Sequence, residues 1–277
     1  MKAQDIIDLA VQSAGLLETP ADSGVIFDTG KDIRKVIFGV DMEAAEMLIA
    51  KQLGVDAVIT HHPKGGAPAI EGYKVMHNQI ERMVEAGVPI NKAQKVLEEK
   101  KEEVDRNLHV SNYDRAVSAA RLLEMTFISI HSPADLLGET LVQDHLDRRL
   151  GKNPKAILND LIEALMELSE YQKAVTKPKV RVGSEKSYVG KPFVIMAGFT
   201  NGGPKVAEAY YEAGVGTLVA MHMPENVIKA VKEQQIGNLV VAGHMASDSI
   251  GINRLIRVFE RKDLQVQAAS GVVDTRA

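Results

Sequence analysis

The sequence V-D-A-V-I-T-H-H-P, residues 55–63, predicts a short buried β-strand that ends in two adjacent histidines, His61 and His62. Pro63 and two glycines then open a loop. In open α/β sheets, ligands bind outside the carboxyl ends of the strands, and imidazole is the commonest side-chain ligand of transition metals. Two interpretations therefore stand side by side: part of a metal site, or two surface histidines in a turn.

The segments around this stretch predict a β-α-β unit, with a strand at 35–40, a helix at 42–53 and the strand that ends at His61. Such a unit has parallel strands and a right-handed crossover. Residues 192–224 repeat the layout, with a strand, a helix, a Gly-Val pair and a second strand that ends at His222 before a proline. We therefore predict an α/β fold of two related halves, with mixed sheets flanked by helices and a metal cleft between the halves.

The pattern changes between the two halves. Residues 131–189 contain two predicted helices separated by glycine and proline, followed by further chain breaks. We predict a first α/β half at 1–130, an inserted or linking helical segment at 131–189, and a second α/β half at 190–277 that packs with the first.

A second predicted strand, at 238–242, also ends at a histidine. The sequence G-H-M-A-S-D follows it, so that His244 leaves the strand end as His61 does. Asp248 stands where a helix is predicted to begin, with Ser247 as a plausible N-cap. A carboxylate there is favoured by the helix dipole and can turn back towards the strand end. Packing alone does not account for three imidazoles and one carboxylate at two strand ends.

Four further residues are candidates for the site, and each has an alternative interpretation. Asp114 precedes a predicted helix, and its spacing alone favours an N-cap over a metal ligand. His109 is equally ambiguous. His131 follows a predicted strand and precedes Asp135, which makes a further histidine and carboxylate at a strand end. His222 corresponds to the first histidine pair in the repeated layout but is more typical of a cleft wall.

The composition excludes several classes of protein. The chain has 277 residues, 45% hydrophobic and 25% charged, with a net charge of −4, which gives no electrostatic basis for binding nucleic acid. It contains no cysteine, so any metal must be held by nitrogen and oxygen. The first residues carry aspartates in an amphipathic pattern, and no apolar run reaches membrane-spanning length. We therefore expect a cytoplasmic protein.

Three motifs together resemble the NIF-three-like dinuclear metal-binding family, whose members are often labelled GTP cyclohydrolase I type 2. The motifs are D-A-V-I-T-H-H-P at 56–63, S-N-Y-D at 111–114 and G-H-M-A-S-D-S-I-G at 243–251. The resemblance covers residues 1–125 and 190–270, and the middle segment matches least. It implies a homo-oligomer, commonly a ring of six built from dimers.

The resemblance also implies a ligand set for two divalent metal ions, with Asp114 bridging them. The implied ligands are His61, His62, Asp114, His244 and Asp248. Two positions depart from the family pattern. The family usually has glutamate where this chain has Asp248, and its histidine before the central aspartate stands four residues away, whereas His109 stands five before Asp114.

The expected chemistry is that of a dinuclear centre. Adjacent imidazoles can each bind one of two ions about 3.5–4 Å apart, with a carboxylate spanning both. We expect hydrolysis with a metal-bridging hydroxide as nucleophile, and His109, His131 and His222 are the candidates for a general acid. Zinc, iron, manganese and nickel all suit mixed nitrogen and oxygen ligation.

Two functions from different classes follow. The first is a metal-dependent hydrolase of a small molecule, with a nucleotide or another phosphate compound as substrate; the family label indicates GTP, although the sequence contains no P-loop. The second is a non-catalytic metal-binding scaffold, a metal-handling protein or a regulatory interaction protein.

Overall fold

A computed structural model describes residues 1–276, which form nine β-strands of four or five residues. The strands are β1 (Gly24–Phe27), β2 (Lys35–Gly39), β3 (Ala57–Thr60), β4 (Thr126–Ser129), β5 (Lys179–Val182), β6 (Pro192–Ile195), β7 (Thr217–Ala220), β8 (Asn238–Val241) and β9 (Gln265–Ala269). The strand predicted at 35–40 and the strands predicted to end near His61 and near His222 are confirmed, as Lys35–Gly39, Ala57–Thr60 and Thr217–Ala220. Sequence patterns miss β1, β5 and β9, because each lies at a sheet edge and lacks a fully buried run.

The same residues form twelve α-helices and one 3-10 helix at Gly72–His77. The α-helices are α1 (Ala3–Ser13), α2 (Ala44–Gln52), α3 (Gly66–Glu71), α4 (Asn78–Ala86), α5 (Ile90–His109), α6 (Arg115–Leu123), α7 (Ser132–Leu150), α8 (Leu158–Leu165), α9 (Ser169–Lys173), α10 (Pro204–Glu212), α11 (Glu225–Gln234) and α12 (His244–Glu260). None of these helices is both long and apolar enough to cross a membrane. The fold is α/β, with two sheets flanked by helices, as predicted.

The chain divides into two compact units, each built from separate stretches. The first unit contains Met1–Val75, Val104–Leu137 and the residues from Asp248 onward, and the second contains Met76–Glu103 and Gly138–Ser247. The predicted boundaries at 130 and 189 do not coincide with these limits. The main reason is that β9 pairs with β2, which returns the last part of the described chain to the first sheet. The predicted cleft between the halves stays a prediction.

The sheet of the first unit has the strand order β1-β4-β3-β2-β9. All neighbours are parallel except β1, which runs antiparallel to β4. Thr60 of β3 lies opposite Ser129 of β4, and both strands are fully buried. The register therefore brings the segments that follow β3 and β4, with their histidines, to neighbouring positions at one sheet edge.

The sheet of the second unit has the order β5-β8-β7-β6. Its parallel neighbours are β6, β7 and β8, and β5 runs antiparallel to β8. This is the order and direction of the first four strands of the first unit. The prediction of two related α/β halves is therefore confirmed at the level of strand topology.

Two helix contacts organise the first unit. Helices α2 and α6 cover the sheet with a buried apolar cluster that includes Met47, Ala120 and Phe127. Helix α12 approaches the first turn of α7 at Gly251, where an added Cβ would lie 1.9 Å from the backbone oxygen of Ala134. Only glycine permits this approach, which places the start of α12 beside the residues that follow β4.

Candidate metal centre

The two histidines that follow β3 are held by backbone and side-chain hydrogen bonds. The parallel ladder continues past β3, with His61 N donating to Gly39 O (2.9 Å) and His62 N to Val40 O (2.9 Å). The buried His61 ring places Nδ1 3.1 Å from the carbonyl oxygen of Ile130, and His62 Nδ1 lies 2.9 Å from Asp41 Oδ1. Because a carbonyl only accepts, His61 Nδ1 carries the proton, and its Nε2 is the atom available to a metal.

His131, two residues after β4, is the third imidazole of this group. Its ring centroid lies 4.7 Å from that of His61. Its Nδ1 is 2.8 Å from Oδ2 of the fully buried Asp22, which also accepts hydrogen bonds from the hydroxyls of Ser23 (3.1 Å) and Ser132 (2.6 Å). Asp22 thus fixes the orientation of His131, as an outer carboxylate does for a metal-binding histidine.

Two buried carboxylates complete the group. Asp135 Oδ1 lies 3.3 Å from His61 Nε2, and Asp135 Oδ2 lies 3.5 Å from His131 Nε2. Asp248 Oδ2 lies 3.6 Å from His62 Nε2 and 3.9 Å from His61 Nε2. We call these five residues, His61, His62, His131, Asp135 and Asp248, the histidine–aspartate cluster.

The atoms of the cluster fit a divalent metal ion. Among residues 1–276, the buried atoms His61 Nε2 and Asp135 Oδ1 have no hydrogen-bond partner, although they lie only 3.3 Å apart. Two ligand atoms about 2.1 Å from one ion and about 3.3 Å from each other subtend roughly 100° at the ion, which is close to tetrahedral. Buried polar atoms are almost always satisfied, so this pair indicates a ligand that both atoms share.

The charges of the cluster raise the pKa of two of its imidazoles, those of His131 and His62, in the absence of metal. Burial disfavours the charged form of His131, but Asp135 and Asp22 outweigh it and raise the pKa of His131 to about 9. Burial likewise opposes protonation of His62, whose pKa is nevertheless raised by Asp248 and Asp41. Protons and metal ions compete for the same nitrogens, so metal binding will release protons.

Asp114 and His109 lie at other places in the first unit. Asp114 is the N-cap residue of α6, with a side chain 49% exposed, and it accepts hydrogen bonds from the Ser118 hydroxyl and from Arg121. The Ser118 bond lowers the pKa of the Asp114 carboxyl. His109 is an exposed residue at the end of α5. Neither belongs to the histidine–aspartate groups that the described residues form within the first unit.

His222 and His244 form a second imidazole pair, in the second unit. Their ring centroids are 4.6 Å apart in an edge-to-face arrangement. His222 follows β7 by two residues, and His244 is the first residue of α12. Because residues four apart in a helix share a face, His244 and Asp248 project on the same side of α12.

Sequence reasoning missed the roles of Asp22, Asp41 and Asp135 in this arrangement. One signal could have found Asp135. The pattern H-x-x-x-D occurs at His131–Asp135 and again at His244–Asp248, in each case at the start of the helix that follows the fourth strand of a sheet. Asp22 and Asp41 lie in loops with no comparable pattern.

The orienting role of Asp22 gives a testable prediction. We expect Asp22→Asn to lower the affinity for a divalent metal about 10- to 100-fold, because an amide cannot hold the His131 imidazole as a carboxylate does. Competition with a coloured chelator measures the affinity. Asp32→Asn, which removes an exposed carboxylate paired with Lys2, is the matched control. Equal affinities for the two variants would show that Asp22 does not orient the centre.

The fold and the cluster define a class of protein: an α/β protein of two topologically related sheets whose His and Asp side chains could hold a metal ion. The family model described as Duf34/NIF3 (NGG1p interacting factor 3) matches residues 1–92. A crystal structure of a NIF3 superfamily protein from Sphaerobacter thermophilus is 35% identical, with a TM-score of 0.93, and the match covers 98% of this chain and 100% of the relative. The chain therefore belongs to the NIF3 superfamily.

More distant structures share the fold alone. Reduced HcgD from Methanocaldococcus jannaschii is 14% identical with a TM-score of 0.61, and the match covers 97% of each chain. TTHA1606 from Thermus thermophilus is 16% identical with a TM-score of 0.57, again over 97% of each chain. No curated protein matches the sequence.

Proposed function

We propose that this protein is a metal-dependent hydrolase whose histidine–aspartate cluster binds two divalent ions. The observation that carries the proposal is the buried pair of His61 Nε2 and Asp135 Oδ1, which lie 3.3 Å apart without hydrogen-bond partners in residues 1–276. Isolated buried charges are costly unless they are paired or coordinate a metal. A shared metal ion satisfies both atoms, and the neighbouring nitrogens and carboxylate oxygens extend the site beyond a single pair.

The proposed ligands combine the cluster with the family resemblance. His61, His62 and Asp248 keep the roles that the resemblance implies, and His244 joins them from the start of the helix that carries Asp248. We assign the bridging position to Asp135 instead of Asp114. The two Asp135 oxygens face different imidazoles, at 3.3 and 3.5 Å, whereas Asp114 is half-exposed and bonded to its own helix.

The residues of the chain would orient the centre and the substrate. Divalent ions held there would supply an activated water at neutral pH and polarise the bond to be cleaved. Asp41 fixes the ring of His62 through Nδ1, and Asp22 fixes His131 in the same way. His131, with Nδ1 on Asp22 and Nε2 3.5 Å from Asp135, acts as a positioning residue that sets the direction of the Asp135 carboxylate.

A non-catalytic metal-binding scaffold is the second candidate, and the burial of the cluster favours it. His61 is 1% exposed, Asp135 4% and Asp248 1%, whereas the side chain of His62 is 23% exposed. A structural metal site is closed, whereas a catalytic one keeps an open position.

Elemental analysis and turnover measured on the same samples separate the candidates. We expect about two metal ions per chain in the wild type and release of phosphate or conversion of GTP that depends on them. His61→Ala should lose both, and His109→Ala, which removes an exposed histidine outside the cluster, should keep the metal. Bound metal without turnover across a panel of phosphate compounds would favour the scaffold, and a metal-free wild type after reconstitution would contradict both functions.

A further inference from the structure

The second unit contains a cavity of about 500 Å³ whose charged lining is entirely basic. Lys177, Lys179 and Arg181 contribute the charges, and His222 and His244 also line the cavity. No carboxylate from the described residues lines the cavity. A concave surface with one sign of charge concentrates ligands of the opposite sign.

The positive charges of the cavity are not neutralised by ion pairs with carboxylates of the described residues. Lys179 and Arg181 both lie on β5, and both are exposed residues that line the cavity. Neither forms an ion pair with a carboxylate anywhere in residues 1–276. Lys177 Nζ donates to the carbonyl oxygen of Tyr171 at 3.2 Å, which anchors the ammonium without neutralising it.

The strand registers show that the segment before β5, which carries Lys177, corresponds to the segment before β1 of the first unit, which carries Asp22. Gly24, the first residue of β1, pairs with Ser129, and Lys179, the first residue of β5, pairs with Val241 at the matching position of β8. Two residues before these positions stand Asp22 in the first unit and Lys177 in the second. The same topological position therefore carries a carboxylate that orients His131 in the first unit, and an ammonium in the basic cavity of the second.

We propose that the basic cavity binds the phosphate group of a small organic phosphate, which would be the substrate class of the proposed hydrolase. The anion site is inferred from the second unit alone. The further statement that its ligand is a substrate rests on the proposed function. Three cations without a countercharge match a phosphate monoester or diphosphate, whereas a single carboxylate would leave two of them uncompensated. Arg181 can donate two parallel hydrogen bonds to phosphate oxygens, and the lysines act as point charges.

The imidazole pair connects this cavity to the proposed chemistry. His244 lines the cavity and is also a proposed metal ligand four residues before Asp248. A phosphate held by Lys179 and Arg181 would thus lie in a cavity whose lining includes one proposed metal ligand. His222, 4.6 Å from His244 between ring centroids, lines the same cavity.

Calorimetric titration with pyrophosphate tests the anion site on the metal-loaded chain of 277 residues. We expect the wild type to bind pyrophosphate with a Kd below about 1 mM. The double variant Lys179→Gln/Arg181→Gln should bind at least tenfold more weakly while its metal content stays at the wild-type level. The control Lys152→Gln/Lys186→Gln removes the same charge from exposed positions outside the cavity and should bind within twofold of the wild type. Malonate should bind at least tenfold more weakly than pyrophosphate.

Repeating the titration after chelator treatment separates this inference from the proposed function. Pyrophosphate binding that persists without metal and is still weakened by Lys179→Gln/Arg181→Gln supports the anion site, even if the wild type proves to hold no metal. Equal binding by the wild type and that double variant would overturn the anion site, even if the metal centre is established. Absence of pyrophosphate binding to the wild type, or tighter binding of malonate, would overturn it as well.

Discussion

Asp135→Asn is expected to abolish binding of at least one metal ion per chain, whereas Asp114→Asn should leave the metal content unchanged. Asp135 is 4% exposed and has its two oxygens 3.3 and 3.5 Å from Nε2 of His61 and His131. An amide keeps the shape but loses the charge and one acceptor, which a bridging ligand needs. Asp114, with a side chain 49% exposed and bonded to Ser118, can lose its charge at small cost.

Comparison of the two variants tests whether the bridging carboxylate is Asp135, as we propose from the structure, or Asp114, as the family resemblance implies. Elemental analysis after exhaustive dialysis gives the stoichiometry, and chelator competition gives the change in affinity. Both variants differ from the wild type by one atom type at one position, so a general effect of lower charge would appear equally in both. Loss of metal in Asp114→Asn with full retention in Asp135→Asn would return the bridging role to Asp114.

Gly251→Ala is the second change with a large expected effect, and it acts through packing. Alanine normally stabilises a helix by about 1 kcal/mol relative to glycine. Here its Cβ would lie 1.9 Å from the Ala134 backbone oxygen and 2.6 Å from the Ala134 carbonyl carbon, so α12 and the first turn of α7 must separate. Because backbone atoms cannot rotate away from the clash as a side chain can, we expect the free energy of unfolding to fall by about 3 kcal/mol or more.

The same displacement should also weaken metal binding, because Asp248 lies one turn before Gly251 and Asp135 follows Ala134 directly. Chemical denaturation of the chelator-treated protein measures the stability, and metal titration measures the site. Arg254→Ala, an exposed change on the same helix, is the control and should shift stability by less than about 0.5 kcal/mol. A Gly251→Ala variant as stable as the wild type would show that the helices yield at this crossing without cost.

Local sequence signals were sufficient for the elements around the first histidine pair. The apolar run before His61 and the β-α-β spacing predict β2, α2 and β3, and the repeated layout near His222 predicts the second sheet. Both signals are local in the sequence, because parallel strands that are buried on both faces appear as continuous apolar runs. The resemblance to the NIF3 superfamily, which rests on the motifs at 56–63, 111–114 and 243–251, is confirmed.

The remaining parts of the candidate site depend on pairings between distant residues. Asp135 is visible in the sequence as a carboxylate after a strand, but its position beside His61 requires knowing that β4 is the neighbour of β3. Asp22 precedes β1, whose edge position and mixed burial leave no periodicity, and only the antiparallel pairing with β4 brings it to His131. The spacing of residues along the sequence does not predict which distant strands lie side by side.

The pairing of β9 with β2 has a consequence for the order in which the protein is made. The second unit is encoded in full by residue 247, while the first unit still lacks Asp248 and β9 at that point of translation. Until β9 emerges, β2 is an open sheet edge that can template pairing with other chains. His61 and His62 of the proposed metal centre are thus synthesised long before Asp248, and the open edge of β2 exposes the nascent chain to misassembly in that interval.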